Sequence, residues 1–157
     1  MKIGYGFDAH RFSNDTKLII GGVHIPFELG LSGHSDADVL SHAICDALLG
    51  AIGEGDIGSH FPDSDPKYKG MSSLFFLNET MKLLNQKGFH IENLDSVVVC
   101  EKPKISPHIE EIKKSLSQVL KITPDLVGVK ATTTEKMGFT GRGEGIAAHC
   151  VVLIKTV

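Results

Sequence analysis

The chain has 157 residues, of which 41% are apolar and 22% charged, with a formal net charge of -3. That length suits one domain with a buried core. The slight acidity and the 6% aromatic content, without tryptophan, argue against an electrostatic or stacking-based nucleic-acid binder, and no apolar run reaches membrane length.

Residues 1–12 alternate Ile3, Tyr5 and Phe7 against Gly4, Gly6 and Asp8, which predicts a strand. After a turn at 13–15, residues 18–20 and 23–27 flank Gly21-Gly22 as a hairpin. Residues 36–52 predict a helix: Ser35 or Asp36 caps it, and Leu40, Ala43, Ile44, Ala47, Leu48 and Ala51 make one apolar face. Asp38, His42 and Asp46, four apart, form a polar stripe on the same cylinder. Residues 53–66 read as a long Gly/Pro/Asp-rich loop, of a length that is commonly functional.

A second helix starts at Ser72 or Ser73, runs to about 87 and is closed by Gly88. Residues 94–100 read as a buried strand, and 101–107 as a loop. Ser106-Pro107 opens a third helix to about 120. A strand over 127–133, a glycine-rich turn over 135–145 and a closing strand over 146–155 complete the chain. This alternation predicts an α/β (α+β) fold, a single domain over residues 1–157 with a mixed β-sheet and helices packed on one face. Cys45, Cys100 and Cys150 are odd in number and far apart, so they read as reduced, partly buried thiols. With no signal-like segment at its start, the chain reads as soluble and cytosolic in type.

Asp8 and His10, two apart on a strand, project from one face. With His42 they offer the N,N,O set of a zinc site that keeps an open fourth position, although a strand end facing solvent carries the same pair. Asp46 is either an outer acceptor for the other ring nitrogen of His42 or part of an exposed stripe. Asp38 reads as capping or structural. His34 and Ser35 lie beside a helix N-terminus, where amides favour an anion. Thr132, Thr133 and Thr134 offer hydroxyls and amides to phosphate oxygens, and Glu135 offers a hard oxygen ligand for Mg²⁺ or Mn²⁺. The same threonines also suit an ordinary strand end. Arg142 and Glu144 can pair with each other or across a subunit contact. Lys102 and Lys104, flanking Pro103, make a stiff cationic loop.

Together these segments resemble the 2-C-methyl-D-erythritol 2,4-cyclodiphosphate synthase family. The matching stretches are Gly4-Tyr5-Gly6-Phe7-Asp8-Ala9-His10, Gly33-His34-Ser35-Asp36-Ala37-Asp38, Gly55-Asp56-Ile57-Gly58, Phe61-Pro62-Asp63-Ser64-Asp65 and residues 130–145, in the family's order along the whole chain. The segment Cys100-Glu101-Lys102-Pro103-Lys104-Ile105-Ser106 is more loosely like the family's nucleotide loop.

The resemblance implies a homotrimer with active sites at the subunit interfaces. It implies zinc on Asp8, His10 and His42, and a second divalent cation, magnesium or manganese, held by Glu135 with the substrate's diphosphate. His34 and Thr133 would stabilise the transition state. Substrate contacts would come from Asp8, Ala9, His10, Ser35, Asp56, Ile57, Gly58, Phe61, Pro62, Asp63, Ser64 and Asp65. Cytidine would take Cys100 to Ser106 with Ala131 to Thr133. Thr134, Glu135, Phe139 and Arg142 would complete the phosphate end, and the mouth of the trimer axis could bind an isoprenoid diphosphate through Arg142. The implied reaction is cyclisation of 4-diphosphocytidyl-2-C-methyl-D-erythritol 2-phosphate with release of CMP. The implied setting is bacterial cytoplasm, or plastid stroma after removal of a transit peptide. Two other readings of the ligand set remain: a zinc-dependent hydrolase or aldolase-type lyase, and a trimeric binding module whose structural metal takes a fourth ligand such as His34.

Overall fold

The computed structural model describes residues 1–157. The chain runs β1 (Lys2–Ser13), β2 (Leu18–Ile20), β3 (Val23–Ile25), β4 (Gly30–Leu31), α1 (Val39–Ile52), α2 (Ile57–His60), α3 (Ser73–Gln86), β5 (Phe89–Val99), α4 (Ile109–Leu120), β6 (Val127–Thr132), α5 (Gly138–Gly141) and β7 (Gly145–Thr156). Single 3-10 turns lie at Pro66–Tyr68, Ser106–His108 and Pro124–Leu126.

Five strands form one sheet in the order β4-β1-β7-β5-β6, and β2 and β3 form a separate hairpin. All pairings in the five-stranded sheet are antiparallel except β5 with β6. The sheet is therefore mixed, as the alternation of strands and helices predicts. Helix α1 lies on β1 and β7, α4 on β6, and α3 packs against both helices and β5. The buried alternation of β1 explains the close approach. Gly4 and Gly6 face α1, and a methyl on either would run into a backbone carbonyl of Ala47 or Ala43.

Helix α1 starts at Val39, three residues later than the predicted start at residue 36, and Asp38 rather than Ser35 or Asp36 is its cap. The reason is tertiary. Asp38 is fully buried and its carboxylate accepts from Ser41 N (3.1 Å), Ser41 Oγ (2.8 Å), Gly21 N (2.8 Å) and Gly22 N (2.7 Å). One carboxylate thus caps the helix and anchors the β2–β3 turn, where both glycines hold positive φ. Asp38 therefore does not belong to a solvated stripe with His42 and Asp46.

Other differences are local. The 53–66 segment contains the one-turn helix α2, and β5 begins at Phe89 with a bulge near Glu92 that breaks its alternation. The two-residue β4 and the four-residue α5 are too short to show a period. The three cysteines are free and buried.

Candidate active site

The ends of β1 and α1 bring Asp8, His10 and His42 together, with one ligand atom of each within 4.8 Å of the other two. Asp8 Oδ2 lies 2.8 Å from His10 Nε2 and 3.1 Å from His42 Nδ1, and those two nitrogens are 3.2 Å apart. The far side of each ring is already engaged. His10 Nδ1 sits 2.8 Å from the carbonyl of Ser32, which can only accept, so that nitrogen carries a proton. His42 Nε2 faces Ser73 Oγ at 2.8 Å and Ser35 Oγ at 3.1 Å.

Two ring nitrogens and a carboxylate oxygen therefore converge on one point. That donor set fits a divalent cation with a position left for a ligand. Asp46 takes no part, because its carboxylate accepts from Ile57 N at 2.8 Å and so tethers α2 to α1.

Electrostatics follow the same convergence. Burial raises the Asp8 pKa, but hydrogen bonds from and charge on His10 and His42 outweigh it and bring it down to about 2. Burial likewise opposes the charged form of His10, yet the bond to Asp8 and its charge raise the His10 pKa above 6.5.

A cavity of about 190 Å³ opens over the cluster, lined also by Gly33, His34, Ser35, Ile57, Gly58, Phe61, Asp63, Tyr68 and Phe76. Phe61 closes one side, its ring tilted against Phe76 at 4.8 Å and edge-on to Tyr68 at 5.6 Å. His34 Nε2 lies 3.0 Å from the carbonyl of Asp65, which ties the 61–66 loop to the segment before α1. Pro62, Ser64 and Asp65 belong to that loop but not to the lining. Asp56 is exposed and caps α2 through Ser59 N (2.9 Å) and Ser59 Oγ (2.7 Å).

A second pocket of about 210 Å³ is built from Cys100, Glu101, Pro103, Lys104, Ile105, Ser106, Ala131, Thr132 and Thr133. These are the two segments singled out for a nucleotide, brought side by side by the parallel β5–β6 pair and by Cys100 N donating to the carbonyl of Thr132 at 3.1 Å. Lys102 lies outside this lining.

Glu101 Oε1 accepts from Thr134 N (3.2 Å) and Lys136 N (3.1 Å), so one carboxylate locks the threonine turn onto the loop. Glu135 and Lys136 hold positive φ of 53° and 66° there, a backbone cost that such a lock sustains. Glu135 is exposed and bonded through Oε1 to Thr133 Oγ1 at 3.4 Å. It is not among the three residues of the ligand cluster. Arg142 pairs with Glu144 at 2.8 Å, and Phe139 lines a cleft of about 210 Å³ with Ala9 and His10.

The residues that sequence reasoning missed are Ser32, Asp36, Ser73, Tyr68 and Phe76. Asp36 lay inside a quoted motif, but only tertiary contact reveals its partner. Within one chain, then, the ligand cluster and the nucleotide-type pocket are separate sites.

Comparison with known proteins gives consistent matches. The sequence profile of the YgbB family matches residues 1–155. The 2-C-methyl-D-erythritol 2,4-cyclodiphosphate synthase of Geotalea uraniireducens is 57% identical over 155 residues, covering 99% of both chains. The structure of the bifunctional IspDF from Campylobacter jejuni aligns with a TM-score of 0.96 and 39% identity, covering 99% of this chain, which spans 42% of that longer protein. A 2C-methyl-D-erythritol-2,4-cyclodiphosphate synthase structure in a CDP-bound form aligns with a TM-score of 0.90 and 37% identity, covering 98% of this chain and 100% of the other.

Proposed function

The chain belongs to the YgbB family and is an enzyme of isoprenoid biosynthesis that forms 2-C-methyl-D-erythritol 2,4-cyclodiphosphate; we propose that it does so at sites shared between subunits of a homotrimer. The substrate is the cytidine diphosphate ester carrying a 2-phosphate. That phosphate attacks the β-phosphorus, and CMP leaves. The nucleophile is already an oxyanion at neutral pH, so the protein needs no strong base, only positioning and charge neutralisation.

Asp8, His10 and His42 are the residues to hold zinc, and Glu135 is the one to hold magnesium or manganese with the diphosphate. Cations bound there supply positive charge to the attacking and leaving sides of an in-line displacement. His34 and Thr133 are assigned to the reacting phosphoryl group, Thr133 as a hydroxyl that can donate to its oxygens.

The methylerythritol end is assigned to Ser35, Asp56, Ile57, Gly58 and the segment Phe61 to Asp65, with the aromatic wall excluding water. Cytidine is assigned to the pocket between Cys100–Ser106 and Ala131–Thr133 of a neighbouring subunit, and Phe139 and Arg142 to the phosphate end. A homologue with CDP bound supports a cytidine nucleotide as the ligand.

The observation that carries this reading is the convergence of Asp8, His10 and His42 on one point beneath a cavity. The separation of the two pockets within one chain supports a shared site. So does the sheet face turned away from the helices, where Ile3, Tyr5, Phe7 and Val151 stand exposed in facing rows of β1 and β7.

Incubation with the cytidylyl substrate tests the reaction. CMP with the cyclic diphosphate in equal amounts is expected. CMP with an uncyclised bisphosphate would instead make the chain a zinc hydrolase.

A further inference from the structure

The side of His42 facing away from the ligand cluster is built with unusual care. Its Nε2 lies 2.8 Å from Ser73 Oγ. Ser73 is fully buried, and its hydroxyl donates to Asp36 Oδ1. The other oxygen of Asp36 accepts the Ser73 backbone N–H at 3.1 Å. That amide is one of the free donors of the first turn of α3, where a carboxylate is favoured by the helix dipole. Asp36 is in turn fixed from behind, its own N–H donating to the carbonyl of Met71 at 3.0 Å.

Hydrogen-bond directions follow from this arrangement. A carboxylate can only accept, so the Ser73 proton points to Asp36 and the Ser73 lone pairs point to the ring. The partner that completes them is an Nε2–H on His42. With a cation taking the place of the Nδ1 proton shared with Asp8, an imidazole protonated at Nε2 presents its lone pair on Nδ1, the atom 3.1 Å from Asp8 and 3.2 Å from His10.

Ser35 Oγ, 3.1 Å from the same nitrogen, accepts from Ala37 N at 3.2 Å and lines the cavity. It shares the Nε2–H without a carboxylate behind it. The sequence offered Asp46 for this job; the fold gives it to a serine 31 residues away.

We propose that Asp36 and Ser73 are positioning residues which, in series, hold His42 in the Nε2–H tautomer and so aim its Nδ1 lone pair at the cation. The relay rests on the assignment of Asp8, His10 and His42 as metal ligands. It also makes the first turn of α3 part of the metal site, since the Ser73 backbone and hydroxyl meet the same carboxylate.

The test is zinc affinity, by competition with a chromophoric chelator, for the full-length protein and its Ser73→Ala and Asp36→Asn variants. In Ser73→Ala the backbone bond to Asp36 survives, so thermal unfolding of the metal-free variant should stay near that of the parent. Zinc affinity should fall about 10- to 100-fold, the usual effect of removing an outer partner of a metal-bound histidine. Asp36→Asn should weaken zinc in the same direction.

In the zinc-loaded parent, the His42 Nε2 proton should give a protected one-bond ¹H–¹⁵N signal. In Ser73→Ala that signal should be lost to exchange. A Ser73→Ala protein that binds zinc as tightly as the parent and keeps the Nε2–H signal overturns the relay alone. A parent that binds no zinc, or a His42→Ala variant that binds it fully, overturns the ligand assignment and the relay with it.

Discussion

The behaviour of His10 decides how the cluster responds to pH. Without a cation, Asp8 and His10 form a half-buried pair, the carboxyl lowered to about 2 and the imidazole raised above 6.5. Asp8 then contributes stability that is present above 3.8 and lost as pH falls through about 2. His10 contributes stability that is present below 6.5 and lost as pH rises through its folded value. Zinc reverses the second trend, because His10 must release its Nε2 proton to become a ligand. We therefore expect apparent zinc affinity to fall about tenfold per pH unit below the raised His10 pKa and to level off above it. Between about pH 6 and about pH 8, unfolding temperature in chelator should decline while the zinc-induced increment grows. A pH-independent zinc affinity over that range would contradict the role of His10. Residues of this kind were legible in the sequence because their spacing is local. Asp8 and His10 share a strand face, and His42 follows from a helix of clear period. Ser73, Tyr68 and Phe76 reach the site only through the packing of α3 and its preceding turn, which no spacing encodes. Asp46 had the right spacing and turned instead to Ile57 N.

Two rigid elements set the cluster's dimensions. Asp8 and His10 lie on β1 and His42 on α1, so the strand–helix distance is the ligand–ligand distance. Gly4 and Gly6 fix that distance by letting the α1 backbone rest directly on β1. Gly6→Ala should push Ala43 outward and cost about 3 kcal/mol of stability, at the upper end for overpacking a well-packed interface. The same displacement should weaken zinc binding at least about tenfold, since ligand sites lose affinity steeply when their geometry slips. Urea unfolding and chelator competition on one preparation measure both. Lost stability with unchanged zinc affinity would mean that the cluster does not take its spacing from this contact. At this scale most of the fold was readable: the long elements have clean periods, and Gly21-Gly22 marked the hairpin. The exceptions have physical causes. Helices α2 and α5 and strand β4 span four residues or fewer, so they carry no period. The start of β5 was hidden by its bulge. The α1 cap fell to Asp38 because distant Gly21 and Gly22 amides complete its hydrogen bonds.

Over the whole molecule, one face of the sheet is covered by helices and the other is not. The uncovered face carries Ile3 (70% exposed), Tyr5 (58%), Phe7 (45%) and Val151 (46%), with Tyr5 Oη bonded to His149 Nδ1 at 2.8 Å. A contiguous apolar face of this sort marks an association surface. It lies on β1, the strand that carries Asp8 and His10, and on the adjacent β7, so we expect its burial between copies to bring one chain's nucleotide pocket toward another chain's cluster. Substitution here should separate assembly from metal binding. Ile3→Asp combined with Val151→Asp changes two outward side chains and leaves the α1-facing core and Asp8, His10 and His42 in place. Sedimentation should report a trimer for the parent and a folded monomer for the variant. Zinc should still bind once per chain with little change in affinity, because all three ligands come from one chain. CMP release should fall at least about a hundredfold, as the phosphoryl acceptor and the nucleotide would no longer be held in one reactive geometry. A monomeric variant that kept full turnover would place the whole reaction centre within a single chain and remove the shared-site proposal, while leaving the metal cluster untouched.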